Sequence, residues 1–132
     1  MKKNKTFIIM LMIVSLLSGC GSKIQLPENP MVYESGVNEE LEYAYLAYED
    51  KIYIPYCPYE TKYLGDCIGY CDIPEDENTE GGKVYICEMK GYSSEEWIIE
   101  ISDTNCTEGM IYREINTTNI PEGLSSEYEW NN

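Results

Sequence analysis

The sequence predicts a mainly β fold: a small antiparallel sheet curled into a barrel or a sandwich, with one or two short helical turns. Thirteen of the 132 residues are tyrosine, which suits half-buried β surfaces where one ring face packs and the hydroxyl stays in water. Short apolar or alternating runs recur along the chain, and clusters of Gly, Pro, Asp and Asn separate them. Six such runs with turns between them are typical of a small antiparallel barrel or sandwich.

Residues 1–19 predict a secretory signal peptide. Three lysines stand among the first five residues, and the following run 6–17 is apolar except for Thr6 and Ser15. A membrane-spanning helix needs about 20 predominantly apolar residues, so this shorter run fits the apolar region of a signal peptide. We therefore expect an exported chain.

The segment Leu17-Ser18-Gly19-Cys20 resembles the lipobox of bacterial lipoproteins. In that family the cysteine thiol receives a diacylglyceryl group and the chain is cut immediately before it. The resemblance implies a protein anchored through Cys20 at the extracytoplasmic face of the cell membrane, where two acyl chains, at about 0.8 kcal/mol per buried methylene, hold it stably. Residues 20–30 would then be a lipidated tether. The alternative is a signal that is retained or cleaved elsewhere, with Cys20 an ordinary thiol.

The folded domain is expected over residues 31–126, and its first predicted element is a hairpin. The alternating runs 41–48 and 51–56 flank the acidic pair Glu49-Asp50, which predicts two strands joined by a short turn. A helix over 38–48 is the competing interpretation, because its acidic residues would suit a first helical turn. The clustered tyrosines favour strands.

Four more strands are predicted in the rest of the domain, and they cover residues 64–73, 83–89, 97–101 and 110–115. An acidic loop at 74–82 and a turn at 103–109 separate them. Single helical turns are expected at Ser93–Glu96 and at Pro121–Leu124. Residues 127–132 are polar, and we expect this end to be frayed.

The charge of the chain restricts its partners. It carries 24 acidic and 9 basic residues, a formal net charge of −15, and no histidine. Loss of the three signal-peptide lysines would leave a net charge of −18. Such a charge excludes nucleic acid as a partner and repels anionic lipid head groups, so the lipid must hold the protein at the membrane. Cationic partners are favoured instead.

Five of the six cysteines would remain after lipidation, so at least one stays unpaired or pairs between molecules. Cys67 and Cys71 lie about 13 Å apart along one strand, too far to bond each other. If the acidic loop closes a hairpin, Cys71 and Cys87 fall nearly opposite each other, and by the same reasoning Cys57 could face Cys67. We state both disulfides as hypotheses, with Cys106 left over in a turn.

The sequence predicts no metal centre, no cofactor and no catalytic site. The cysteines lack the Cys-x-x-Cys pairs typical of structural zinc sites, and the chain has no histidine to pair with a nucleophilic thiol. Its acidic loop departs from the calcium-loop pattern, which makes a solvated charge run the preferred interpretation of Asp72, Glu75, Asp76, Glu77 and Glu80. Carboxylates are too common here to indicate a glycosidase. We predict that the protein is not an enzyme.

A second resemblance concerns the domain itself. The segment from Met89 to Ile101, followed by Tyr112-Arg113-Glu114, resembles small, uncharacterised lipoproteins of Gram-positive bacteria. More distantly, the chain is similar to the β-rich lipoproteins that give lantibiotic producers self-immunity. Those proteins also carry a lipobox and a strand like Tyr-x-x-x-Ile-Tyr, here Tyr48 to Tyr53.

Three functional hypotheses follow, in order of preference. The first is a surface-tethered binding module for a cationic amphipathic peptide, immunity-like, because negative charge and a Tyr/Trp-rich sheet would attract such a ligand. The second is an accessory subunit of a membrane or transporter complex. The third is a cell-wall hydrolase, for which we find no nucleophile motif.

Overall fold

The computed structural model describes residues 24–75, 77, 81–102, 106 and 108–131. This part of the chain is mainly β, so the predicted fold class is confirmed. The described residues form seven strands, namely β1 (Met31–Asn38), β2 (Tyr43–Tyr48), β3 (Lys51–Pro58), β4 (Leu64–Ile73), β5 (Gly82–Met89), β6 (Trp97–Ile101) and β7 (Gly109–Glu114). Two short 3₁₀ helices lie at Thr61–Tyr63 and Glu129–Asn131.

The strands form one closed barrel in the order β1-β2-β3-β7-β6-β5-β4. All neighbouring pairs are antiparallel except β1 and β4. These two strands run parallel, from Met31 opposite Gly69 to Tyr33 opposite Cys71, and their contact closes the barrel. Closure leaves no long sheet edge open to pairing with another chain. Of the two predicted architectures, the barrel is therefore the one that forms.

The barrel interior is packed by one buried side chain from every strand. Taken from β1 to β7, they are Tyr33, Leu46, Tyr53, Cys71, Ile86, Ile98 and Tyr112. Three of the seven are tyrosines, none more than 6% exposed. The ring of Tyr33 lies 5.0 Å from that of Tyr48 and 5.9 Å from that of Tyr53, measured between centroids. Part of the tyrosine content therefore serves to fill the barrel, as aromatic rings do in protein cores.

A second core lies on the outside of the barrel, over β5, β6, β7 and the end of β3. Its buried members are Tyr56, Cys87, Met89, Trp97, Ile99, Ile101, Cys106 and Ile111. Strand β6 is consequently buried on both faces, because Ile98 points to the interior while Trp97 and Ile99 pack outside. A strand covered on both faces has a nearly continuous apolar sequence rather than an alternating one, and β6 is apolar except for Glu100.

A bulge in β3 directs Tyr56 into this outer core. The pairing of β3 with β7 shifts between Pro55 and Cys57, which makes Tyr56 the extra residue. Its ring meets the indole of Trp97 edge-on, with centroids 5.0 Å apart. The bulge therefore turns the last residues of β3 toward the outer surface, where the candidate site begins.

The six predicted strands correspond to β2 through β7, with ends that differ by at most two residues. The predicted hairpin at Glu49-Asp50 is confirmed, because β2 and β3 pair antiparallel around it; the competing helix over 38–48 is wrong. Strand β1 was not predicted. Tyr33 is its only buried side chain, and its polar stretch Glu34-Ser35-Gly36 gives too weak an alternation to indicate a strand.

The two predicted helical turns are hydrogen-bonded turns instead. The backbone N–H groups of Glu96 and Trp97 both donate to the carbonyl of Ser93, at 3.0 Å, and β6 begins immediately afterwards. The N–H of Leu124 donates to the carbonyl of Pro121 at 3.1 Å, and residues 124–128 do not continue as a helix. Each segment is too short to propagate a helix beyond its costly first turn.

Residues 127–131 dock on the barrel, whereas the sequence predicts a frayed end over 127–132. Trp130 Nε1 and Asn131 Nδ2 each donate a hydrogen bond of 2.7 Å to the carbonyl oxygen of Pro55. The ring of Trp130 also lies 4.8 Å from that of Tyr43. Trp130 docks because its indole ring packs and its N–H is hydrogen-bonded on β3, although the residues around it are polar.

Replacing Tyr33 with Phe is expected to leave the protein as stable as the wild type or to stabilise it by about 1 kcal/mol. Among the described side chains, the Tyr33 hydroxyl is the buried polar group without a hydrogen-bond partner, and burying such a group costs free energy. The matched variant is Tyr112→Phe, which loses a 2.7 Å hydrogen bond to Glu100 Oε2 and should destabilise the protein by about 1–2 kcal/mol. Urea unfolding measures both. Equal destabilisation by the two variants would contradict the conclusion that the buried Tyr33 hydroxyl makes no hydrogen bond.

Candidate functional site

A cleft of about 500 Å³ opens on the outer surface of the barrel, next to the outer core. The end of β3 and the 3₁₀ helix Thr61–Tyr63 form one wall, and the segment before the C-terminal 3₁₀ helix forms the other. Its lining comes from residues 56–60, 62, 63, 123–125, 127 and 128. We call it the tyrosine cleft, because its aromatic lining consists of Tyr56, Tyr59, Tyr63 and Tyr128.

Backbone hydrogen bonds fix the first wall to the barrel. The N–H of Tyr59 donates to the carbonyl of Gly109 at 3.3 Å, so the chain still follows β7 after β3 has ended. Tyr63 donates to Glu60 at 3.0 Å and closes the 3₁₀ helix, while its own carbonyl accepts from Lys90 at 2.8 Å. The wall is therefore held at both ends, by β7 and by the end of β5.

The second wall is held by the docked end of the chain. The ring of Tyr128 stacks on that of Trp130, with centroids 4.7 Å apart and planes 11° from parallel, and Trp130 is bonded to β3. Asn131 Oδ1 accepts hydrogen bonds from Arg113 Nε and Nη2, at 3.2 and 3.0 Å. These contacts place Tyr128 at the cleft through a chain of packed rings.

The charged groups of the cleft are two carboxylates, Glu60 and Glu127, and one ammonium, Lys62. Lys62 Nζ lies 3.3 Å from Glu60 Oε2 and 5.1 Å from the centroid of the Tyr63 ring. The hydrogen bond and the charge of Glu60 raise the pKa of Lys62. Both ions of the pair are largely exposed, so the pair adds little to stability. Lys62 nonetheless demonstrates how a cation sits in this cleft, between a carboxylate and a ring face.

The cleft also contains one half-buried thiol, Cys57. Burial raises the pKa of Cys57 to about 11, and the charge of Glu60 acts in the same direction. The thiol is therefore protonated at neutral pH, and a protonated thiol is a poor nucleophile. The chemistry available to this cleft is binding through rings and carboxylates rather than attack by sulfur.

The predicted cysteine pairs are not formed by the sheet register. Strand β4 places Cys71 opposite Val84, and it is Cys67 that lies opposite Cys87. The predicted opposition of Cys71 and Cys87 is wrong because β4 and β5 pair regularly from Ile73 opposite Gly82, and this register places Cys71 opposite Val84. Cys57 does not face Cys67 across a sheet, since β3 and β4 are not neighbours in the barrel. Cys71 points into the barrel interior instead.

Other predicted features lie partly or wholly outside the described residues. Cys20 and the signal peptide are among them, as are Asp76 and Glu80 of the acidic loop and much of the turn at 103–109. Glu75 and Glu77 are described and exposed. Within the described ranges, no group of three or more His, Cys, Asp or Glu side chains is placed to hold a metal ion.

The tyrosine cleft itself was not predicted. Its walls lie mostly outside the predicted strands, in residues 57–63 and 123–128, so no strand pattern marked them. A usable signal was present, because Tyr59, Tyr63 and Tyr128 stand outside the strands. Aromatic residues in polar connecting segments often contribute to binding sites.

Comparisons with protein-family models, with curated proteins and with solved structures found no match. In the part of the chain that the structure describes, no helix is long and apolar enough to cross a membrane.

Proposed function

We propose that the protein is a lipoprotein anchored through Cys20 at the extracytoplasmic face of the cell membrane, and that its barrel binds a cationic peptide in the tyrosine cleft. The anchor rests on the order of the first 20 residues, with a basic start, a short apolar run and Leu-Ser-Gly-Cys at its end. The described barrel starts only at Met31. This leaves a short tether between lipid and domain.

The observation that carries the binding role is the combination of ring faces and carboxylates in one cleft. Cations bind favourably over tyrosine rings, and Glu60 and Glu127 supply opposite charge at the same place. A lysine already occupies such a position, over Tyr63. A lysine or arginine side chain of a peptide would use the same chemistry, and the large negative charge of the chain would steer it there.

Calorimetric titration tests this proposal. A synthetic amphipathic peptide of lysine and leucine is titrated into the protein without residues 1–20. We expect saturable binding that weakens roughly tenfold between about 50 and about 500 mM salt, because the attraction between exposed charges is screened. Tyr63→Leu should weaken binding about tenfold by removing one ring face. A peptide with glutamate in place of lysine should not bind.

Tyr70→Leu is the matched control for the ring. Tyr70 also carries a lysine over its face, with Lys83 Nζ 4.4 Å from the centroid, but it lies on β4 outside the cleft lining. For charge, the cleft variant is the double substitution Glu60→Gln and Glu127→Gln. Its control is the double substitution Glu39→Gln and Glu40→Gln, which also removes two negative charges. If the cleft and control variants weaken binding equally, the peptide is attracted by overall charge and the cleft is not its site.

A role as an accessory subunit has one observation in its favour. Val32, Val37 and Leu41 are 50%, 64% and 49% exposed on β1 and the turn after it, and exposed apolar side chains can form protein contacts. A partner that co-purifies with the full-length chain and is lost in Val37→Asp would favour this role. Peptide binding by the protein alone would favour the cleft.

A further inference from the structure

Cys67 and Cys87 stand directly opposite each other on the antiparallel strands β4 and β5. The register on either side is irregular: three steps along β4, from Leu64 to Cys67, match two along β5, and the two steps from Cys67 to Gly69 match one. Cys67 therefore sits between two bulges of β4. Directly opposed residues in an antiparallel pair have Cα atoms about 4.5–5.5 Å apart, within the range of about 4.4–6.8 Å that a disulfide spans.

The two thiols are also in contact. They share a side-chain hydrogen bond, which lowers the pKa of Cys67 and raises that of Cys87. Cys87 is fully buried in the outer core, whereas Cys67 is half-buried and packs against it. Cys67 is thus the more accessible of the two cysteines, and Cys87 lies beneath it in the outer core. This is the arrangement of an attacking and a resolving cysteine.

We propose that Cys67 and Cys87 are joined by a disulfide that fastens β4 to β5. The inference goes beyond the peptide-binding role and does not depend on it. An oxidising compartment outside the cytoplasm favours such bonds, and the pairing differs from both disulfides that the sequence suggested.

The oxidant is a second disulfide, either in a thiol–disulfide oxidoreductase or in oxidised glutathione. The Cys67 thiolate attacks one sulfur of that disulfide, forms a mixed disulfide and expels the other sulfur as a thiolate. The Cys87 thiol then loses its proton, and its sulfur attacks Cys67, releasing the oxidant's second thiolate. The protein loses two electrons and two protons, and the oxidant is reduced to two thiols.

The bond would secure the part of the barrel that carries one wall of the cleft. The 3₁₀ helix Thr61–Tyr63 leads directly into β4, and β4 also makes the parallel contact with β1 that closes the barrel. Linking β4 to β5 restricts the unfolded chain across the loop between them. We expect the melting temperature of the oxidised protein to exceed that of the reduced protein by about 10 °C.

Peptide mapping of the full-length chain tests the pairing. The protein is equilibrated with oxidised and reduced glutathione, remaining thiols are blocked with N-ethylmaleimide, and digestion is done without reductant. Trypsin releases Cys87 in residues 84–90 but leaves Cys67 and Cys71 together in residues 63–83. Chymotrypsin cuts after Tyr70 and separates them. We expect the Cys67 fragment to be linked to the Cys87 fragment. The Cys71 fragment should be unlinked, with or without N-ethylmaleimide on its thiol.

Cys71→Ser is the matched control, because Cys71 lies on the same strand but faces Val84 and the barrel interior. It should keep the linked peptide and the difference in melting temperature, whereas Cys67→Ser should lose both. If Cys67→Ser does not fold, the peptide map of the wild-type protein still shows whether Cys67 is linked to Cys87. A link between Cys71 and Cys87, or N-ethylmaleimide on both Cys67 and Cys87 after oxidation, would overturn the proposal.

Discussion

Cys20→Ala is expected to move the protein from the membrane fraction to the soluble fraction and to abolish a diacylglyceryl mass increase. Two acyl chains hold a protein stably on a bilayer, at about 0.8 kcal/mol per buried methylene. Without them, residues 20–132, of net charge −18, have no attraction to an anionic membrane surface and are repelled by it. The shift between fractions should therefore be nearly complete.

Intact mass spectrometry and membrane fractionation of the protein expressed in a Gram-positive host measure this effect. Cys57→Ala is the control, since Cys57 is a cysteine of the barrel rather than of the proposed lipobox. It should stay in the membrane fraction with the lipid mass. A wild-type protein that is released without added mass would show that Cys20 is an ordinary thiol.

Gly69→Ala is expected to destabilise the protein by at least about 3 kcal/mol or to prevent folding. Gly69 is buried on β4, opposite Met31 of β1. A Cβ at this position would overlap the carbonyl oxygen of Met31 and lie 2.8 Å from its carbonyl carbon. Because these are backbone atoms, β1 would have to move away from β4. The parallel contact that closes the barrel would then be lost.

Urea unfolding followed by circular dichroism measures the loss. Val32→Ala is the control in the same strand pair, because Val32 is 50% exposed and should change stability by no more than about 0.5 kcal/mol. A Gly69→Ala protein with wild-type stability would mean that β1 and β4 do not approach each other as closely as the barrel requires.

The strands that the sequence predicts well are those whose burial pattern is local. Strand β6 is apolar except for Glu100 because it is covered on both faces, and its predicted and observed ends coincide. Strand β1 escapes prediction because Tyr33 is its only buried side chain, so its alternation is weak. Its closing contact is with β4. A parallel partner so far along the chain leaves no local turn signal. The same contact distinguishes a closed barrel from a sandwich, which is why the sequence left both open.

The cysteine pairing failed for a related reason. Counting outward from a hairpin loop requires the first pair of the ladder, and here Ile73 pairs with Gly82, which places Cys71 opposite Val84. The irregularity between Gly69 and Cys67 then moves Cys67 opposite Cys87. Bulges have no strong sequence signature apart from glycine, and Gly65 and Gly69 flank Cys67 in that strand.

The cleft depends on contacts that only the folded chain reveals. Residues 127–132 are polar and near the end of the chain, so they predict fraying. Trp130 and Asn131 dock on the carbonyl of Pro55, which brings Tyr128 to the cleft. The sequence could therefore predict an acidic, tyrosine-rich, mainly β domain and a cationic partner, but not the surface where that partner would bind.

The most direct test of the proposed role is to map the peptide on the protein by amide chemical shifts in heteronuclear NMR. We predict that adding the lysine–leucine peptide shifts amides of both cleft walls, at 59–63 and 123–128, and that these shifts reverse in high salt. Shifts confined to Glu75, Glu77 and their neighbours in the acidic loop would contradict this account. They would show that the peptide follows charge density and leaves the tyrosine cleft unoccupied.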